Sequence, residues 1–370
     1  MTADAFKAAG WTARRLGVVM EPDPGDPREA GGVCNPGSAR GPDGELYLFP
    51  RLVAEGNVSR VGLARVRFED GRPAGVERLG VVLEPDAPWE RHRGGGGVED
   101  PRVTWVPALG RHVMTYTGWG PLGPRVALAC SADLEHWERL GPVGFAFDPW
   151  LRADLNLYPN KDAVLFPEPV PGPDGELSFA LLHRPMWDLS WANPAEGETP
   201  PPGLADPRPG IWVSFVPAKE ALADPVRLTW LRDHRLVALP ERPWEEAKLG
   251  GGTPPVRLPE GWLVLHHGVA GRIEPGRVDH QPAVRYTAGA MVLDPEDVTR
   301  VLARSTEPLL EPEEPGERDG VVPNVVFPTA IDPREGGEAD VYYGMADARI
   351  GAFRLTMGPL GGRGAGPVGR

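Results

Sequence analysis

Along most of the chain, apolar residues come in runs of about four to eight, cut by turns rich in proline, asparagine and glycine. Runs of that length, so bounded, predict β-strands rather than helices. The most apolar ones are Leu46–Arg51, His112–Gly118, Leu177–Arg184, Trp262–Gly268 and Asp340–Ala346, and each ends in polar or small residues. A further strand precedes each, opening at Asn35-Pro36, Asp100-Pro101, Asn160-Lys161-Asp162, Thr253-Pro254-Pro255 and Pro323-Asn324. Third strands follow in most copies: Val61–Val66, Val126–Cys130, Ile211–Phe215, Ala288–Leu293 and Ile350–Leu355.

The unit thus recurs five times, at spacings of roughly 65 to 85 residues. A sheet of three or four strands leaves edges exposed and a face unburied, whereas stacking several around an axis covers both. The predicted fold is all-β, a five-bladed β-propeller over residues 31–357; the regular spacing favours it over a two-sheet sandwich. The lead-in, residues 1–30, reads as a short helix over Ala3–Arg15 and an extended segment, and is expected to close the ring by giving a strand to the last blade. The tail, residues 358–370, lacks the apolar content to pack and is expected to be flexible. The Pro-rich insert Asn193–Pro209 reads as a surface loop.

Composition narrows the function. Hydrophobic residues are 41% and charged residues 25% of 370, ordinary for a soluble globular protein. A net charge of −13 argues against nucleic-acid binding, which needs a basic face. Cys34 and Cys130 are the only cysteines and form no C-x-x-C pair, so neither a disulfide framework nor a thiolate zinc site is suggested. The histidines show no H-x-x-x-H spacing, so no metal site is expected. Met1 to Gly17 has no apolar signal-like core, and no run approaches the ~18 apolar residues of a membrane span, so a cytoplasmic location is expected.

In a propeller the inner strands line the central channel, and polar residues at one phase of each repeat converge at its mouth. Those places hold Asn35, Arg60, Asp100, Asn160 with Lys161 and Asp162, His183 with Arg184, Lys248, His267, Tyr286 and Asp347. Carboxylates, cations and amides meeting at one point suit a hydroxyl-rich substrate beside an anion. The stretch Gly94 to Arg102 stands out: four glycines run into Glu99, Asp100, Pro101 and Arg102. Its glycines are expected to let the backbone approach a ligand. Pro101 is expected to hold Asp100 extended, as a positioned general acid requires.

Several of these segments together resemble glycoside hydrolase family 130, the β-mannoside phosphorylases and related β-mannosidases. They are Gly97-Val-Glu-Asp-Pro-Arg102, Asn160-Lys-Asp-Ala-Val-Leu-Phe-Pro167, His183-Arg-Pro185, Lys248 leading into Gly250-Gly-Gly-Thr-Pro-Pro255, Trp262 with His267-Gly268, and Pro323-Asn-Val-Val-Phe-Pro328 with Tyr342-Tyr-Gly-Met-Ala-Asp347. The resemblance runs from about residue 30 to 356, in order, and implies a five-bladed propeller with a central site. It implies Asp100 as general acid, its proton relayed through the 3-hydroxyl of the mannosyl ring. Phosphate would be held by Asn160, Arg184, Lys248 and His267, and would attack the anomeric carbon with inversion. Asn35, Arg60, Glu99, Arg102, Lys161, Asp162, His183, Tyr286 and Asp347 are then left to bind the sugar.

One place departs from the family pattern. Some of its phosphorylases carry an arginine before the asparagine of Asn-Lys-Asp, where this chain has Pro159. The leading expectation is phosphorolysis of short β-mannosides to α-mannose 1-phosphate, with inorganic phosphate as co-substrate and no cofactor. An inverting β-mannosidase, needing a second carboxylate from Asp347, Asp162 or Glu99, and a non-catalytic sugar-binding propeller are the alternatives. The expected partners are a small oligosaccharide and phosphate, without nucleic acid or membrane, and self-assembly into a homo-oligomer is left open.

Overall fold

The computed structural model describes residues 11–189, 195, 197–202, 204–272, 281 and 283–358. Its strands form five antiparallel blades taken in chain order. Blade 1 is Gly32–Arg40, Leu46–Ala54, Val58–Glu69 and Arg72–Leu83. Blade 2 is Gly96–Val106, Arg111–Gly120, Gly123–Ser131 and Glu138–Pro142. Blade 3 is Asn160–Leu165, Leu177–Pro185, Ile211–Pro217 and Trp230–Ala238. In blade 4 a broken inner strand, Lys248–Gly251 and Val256–Leu258, precedes Gly261–Gly271, Val284–Leu293 and Val301–Arg304. Blade 5 is Val326–Arg334, Glu338–Met345 and Arg349–Thr356.

The outer strand of blade 5 comes from the other end of the chain. Thr12–Met20 pairs antiparallel with Arg349–Thr356, Thr12 opposite Thr356 and Met20 opposite Ile350. The helix expected over Ala3–Arg15 is not there from Thr12 onward; its residues up to 10 lie outside the described set. An open sheet edge offers a row of hydrogen bonds that a short local helix cannot match. The tail beyond Gly358 also lies outside the described residues, as do positions 193, 194, 196 and 203 of the insert.

Strand alternation explains why the second strands read as continuously apolar. Blades pack on both faces, so neither parity is free to be polar. Phe179 and Leu181 of blade 3 enter a core shared with blade 2, while Ala180 and Leu182 enter the core shared with blade 4. Leu263 and Leu265 of blade 4 face blade 5. Tyr342 faces a core between blades 5 and 1, and a further cluster joins blades 1 and 2. Five inter-blade cores therefore close a ring. No helix among the described residues is long and apolar enough to cross a membrane.

A second repeat sits in the turns. Pro27-Arg-Glu29, Pro88-Trp-Glu90, Pro243-Trp-Glu245 and Pro315-Gly-Glu317 each begin a single helical turn and bury their glutamate. Glu90 accepts hydrogen bonds from Tyr116 Oη (2.7 Å) and Arg139. Glu245 holds His266 and Arg304, Glu317 holds Tyr343 and Arg15, and Glu29 holds Arg78. Each arginine comes from an outer strand, so the glutamate staples the entering turn to the rim of its blade.

Candidate active site

Three inner strands share one irregularity at the same height. Asn35, Asp100 and Asp162 have φ of 44°, 50° and 56°, and the strand register shifts beside each. These bulges turn the three side chains into a central cavity of about 400 Å³. Asp100 is therefore left-handed, not extended as its place before Pro101 suggests. Aspartate tolerates φ > 0 better than most residues, and Pro101, without an N–H, costs the disturbed ladder nothing. The glycines ahead of it serve a different contact from the one expected. At Gly97 (φ 115°) a Cβ would lie 2.3 Å from the Ser59 carbonyl oxygen, so glycine here lets blade 2 dock on blade 1 rather than on a ligand.

The second strands supply the facing groups: Arg51 lies opposite Cys34, Arg184 opposite Lys161, and His267 opposite Gly250. A Cβ on Gly250 would sit 2.3 Å from Asp162 Oδ2 and 2.4 Å from the His267 ring, so only glycine lets blade 4 approach that pair. Lys248 and Tyr286 of blade 4, and Phe327 with Asp347 of blade 5, complete the wall.

The side of the cavity formed by blades 1 and 2 is charge-balanced. Asp100 Oδ1 accepts from Asn35 Nδ2 (2.9 Å) and Arg51 Nη1 (3.1 Å). Glu99 accepts from Arg51 Nη2 (2.8 Å) and Lys161 (3.4 Å), and the lysine ammonium lies 4.5 Å from the Trp119 ring centre. Burial pushes the Asp100 carboxyl up, but Arg51, Arg102, Lys161 and Asn35 outweigh it and hold it below the ordinary value.

The side formed by blades 3 and 4 is not balanced. Asp162 Oδ2 accepts from Arg184 Nε at 2.6 Å, with His267 Nε2 at 3.5 Å and Arg102 Nη2 at 3.7 Å from the carboxylate. Burial opposes its ionisation, yet Arg184, His267 and Arg102 hold Asp162 far below the usual carboxylate range. That single carboxylate is not enough. Arg184 Nη1 and His267 Nδ1 are buried without a hydrogen-bond partner. Lys248 forms no ion pair among the described residues, only a contact of 5.1 Å with the Tyr286 ring. Burial and the Arg184 charge push its ammonium down to about 7, and burial keeps His267 neutral.

Asp347 carries a third condition. It lines the cavity, makes no hydrogen bond or ion pair among the described residues, and burial, only partly offset by Arg51 and Lys161, pushes it up to about 6.

Not every candidate reaches the wall. Arg60 pairs with Glu84 at 2.7 Å instead. Arg102 buttresses from behind, donating to the Asp100 carbonyl (2.7 Å) and the Gly252 carbonyl (3.2 Å). Asn160 and His183 sit buried behind the cavity, Asn160 Nδ2 2.9 Å from His183 Nδ1. The sequence reasoning missed Arg51, Trp119 and Phe327. Arg51 could have been found, because it closes the apolar run Leu46–Arg51 of blade 1 as Arg184 closes Leu177–Arg184 in blade 3.

The chain belongs to glycoside hydrolase family 130. A family model described as beta-1,4-mannooligosaccharide phosphorylase matches residues 208–359. Over 265 residues the chain is 33% identical to a 1,2-beta-oligomannan phosphorylase of Thermoanaerobacter sp. (strain X514), covering 70% of this chain and 69% of that one. Over 225 residues it is 36% identical to a beta-1,4-mannooligosaccharide phosphorylase of Ruminococcus albus, covering 60% of this chain and 56% of that one. The solved structure of a beta-1,2-mannobiose phosphorylase from Listeria innocua shares the fold, with a TM-score of 0.66 at 22% identity over 93% of this chain and 96% of that one.

Proposed function

We propose that the protein is an inverting β-mannoside phosphorylase, releasing α-mannose 1-phosphate and the second sugar. The observation that carries this reading is the uncompensated cationic side of the cavity. Arg184 Nη1, buried without a hydrogen-bond partner, and Lys248, without an ion pair among the described residues, line the same cavity as Asp100, and like charges left together in a buried site call for an anion. Phosphate is already an anionic nucleophile and needs no carboxylate to activate it. One of its oxygens bonds to the anomeric carbon as the bond to the departing sugar oxygen breaks, and the proton of Asp100 goes to that oxygen through the 3-hydroxyl.

Asp100 must be protonated to act, and in the empty site it is ionised. A phosphate dianion bound among Arg184, Lys248 and His267 offsets the cations that hold it so, and raises its pKa. Acid loading is thus tied to arrival of the nucleophile. Relatives are named for both β-1,2 and β-1,4 linkages, so the substrate class assigned here is short β-mannosides.

A hydrolytic reading rests on Asp347. Glu99 and Asp162 are tied up by cations, whereas Asp347 has no hydrogen bond or ion pair among the described residues and would be ionised at neutral pH, as a base for water must be. Incubation with β-1,2- and β-1,4-mannobiose, with and without inorganic phosphate, tests both. Phosphate-dependent formation of α-mannose 1-phosphate is expected; free mannose at a rate indifferent to phosphate would establish the hydrolase.

A further inference from the structure

One glycine near the cavity has no local reason to be glycine. Gly344 lies inside the strand Glu338–Met345, opposite Phe327 on one side and Ile350 on the other, and its φ is outside the left-handed region. Within a strand, glycine sacrifices packing and chain entropy. What calls for it here is one residue of the neighbouring blade. A Cβ on Gly344 would lie 2.0 Å from Asn35 Oδ1 and 3.2 Å from both its Cγ and its backbone nitrogen, and those are the three nearest atoms. Gly250 plays the matching part across the cavity, where the missing side chain admits Asp162 and His267.

The Asn35 amide is held at both of its ends. Nδ2 donates to Asp100 Oδ1 at 2.9 Å, while Oδ1 is buried with no N–H or O–H donor. Turning the amide over would set its oxygen against the Asp100 carboxylate, so the donor must face the acid. Oδ1 is then left against the Cα of Gly344, whose hydrogen stands where a Cβ would be, a weak C–H···O contact. Any side chain at 344 would occupy the same space and displace the amide.

Where that amide sits decides how the acid is presented. Asn35 Nδ2 and Arg51 Nη1 both donate to Oδ1 of Asp100, so Oδ2 is the oxygen left to carry and release the proton. The charged groups around this carboxyl are Arg51, Arg102 and Lys161, with Asp347 and, through the shared Arg51, Glu99 as the nearby carboxylates. A substitution at 344 alters none of these charges and moves only the one neutral donor. We propose that Gly344 is a positioning residue for the general acid, acting through the Asn35 amide on Asp100. This rests on the reading of Asp100 as the acid, which the phosphorylase and the hydrolase share.

A double-mutant cycle between Gly344→Ala and Asn35→Ala tests it, read as kcat/KM for a β-mannobiose against pH at saturating phosphate. In the wild-type background Gly344→Ala should lower the plateau about tenfold or more, the scale of one lost hydrogen bond to a charged group. It should also move the descending limb at higher pH upward by about one unit, and Asn35→Ala should move it in the same sense. Asn35 favours the ionised form of Asp100, so without its donor the carboxyl keeps its proton to higher pH. In the Asn35→Ala background Gly344→Ala should change the plateau by no more than about twofold and leave the limb in place, because no amide remains to displace. The double variant should fold even if Gly344→Ala alone does not, since only the 3.2 Å contact with the backbone nitrogen of residue 35 remains. A glycine needed only for packing would lower the melting temperature equally in both backgrounds and leave the limb unmoved. That result overturns the inference and leaves Asp100 as the acid, as does a folded Gly344→Ala enzyme with the wild-type profile or a double variant well below Asn35→Ala. An Asp100→Asn enzyme of full activity would instead remove the acid reading and this one with it.

Discussion

The two sides of the cavity are built from the same kinds of residue, at similar depth, with opposite outcomes. Between blades 1 and 2, Arg51 reaches both Glu99 and Asp100 and Lys161 caps Glu99, so each carboxylate has a cation that belongs to the protein. Between blades 3 and 4, Asp162 alone faces Arg184, Arg102, His267 and Lys248, and it can satisfy only the first well. A buried group without a counterpart is costly. The balanced side needs nothing further to be stable, while the unbalanced side is completed by what binds there. On the proposed reading, the difference separates a place where a proton is handled from a place where an anion is held.

The largest effect expected from disturbing this division is on the balanced side. Asp100→Asn should stay folded and lose about 10²-fold or more in turnover, the usual scale for a general acid. The loss should be smaller with an activated aryl mannoside, whose departing oxygen needs less protonation. Equal losses on both substrates would show that Asp100 is not the acid.

A smaller, more selective effect is expected across the cavity. Lys248 has no carboxylate to leave behind, so Lys248→Met should leave the phosphate-free melting temperature unchanged or raise it. Its KM for phosphate should rise at least about tenfold, since a lost charge-assisted hydrogen bond costs about 1.5–3 kcal/mol. Stabilisation of the wild type by millimolar phosphate should shrink with it. Arg184→Ala is the less clean probe. It strips Asp162 of its 2.6 Å partner, and breaking a buried pair costs about 3–5 kcal/mol of folding stability besides any loss of phosphate binding. If Lys248→Met destabilised the free enzyme and left the phosphate KM alone, the two sides would not differ as argued.

How far this arrangement could be read in the sequence depended on whether a residue's direction is set locally. Asp100, Asp162, Arg184, Lys248 and His267 are legible because the repeat fixes their phase. The choice between Arg51 and Arg60 was not, because Arg51 faces Val61 and Arg60 faces Leu52, adjacent rungs of one ladder. Successive rungs point opposite ways, so a slip of one position exchanges a cavity residue for a rim residue. The left-handed Asp100 was also hidden, since a bulge set by tertiary pairing overrode the local effect of Pro101. The Pro-x-Glu turns went unread, because what buries their glutamates is an arginine that arrives from a distant outer strand.

The smallest effect is one of pH on the free protein, and it separates the sides without any substrate. On the unbalanced side Lys248 sits at about 7, below its ordinary 10.5, chiefly through burial. Between those values the unfolded chain holds a proton that the native protein has released, so Lys248 makes stability rise with pH. The advantage is complete above the unfolded value and is lost as pH falls through about 7. Asp347 works in the other sense at lower pH. Its folded value of about 6 lies above the ordinary 3.8, so its stabilising contribution is present below the unfolded value and lost as pH rises through about 6. Melting temperatures in phosphate-free buffer between pH 5 and 9 should therefore show opposed slopes, each removable on its own: Lys248→Met should flatten the rise above about 7, and Asp347→Asn the fall below it. Millimolar phosphate should also flatten the upper slope, because an anion beside Lys248 restores its affinity for the proton. Persistence of that slope in Lys248→Met would place the titrating group elsewhere and remove the lysine from the account of how the anion is held.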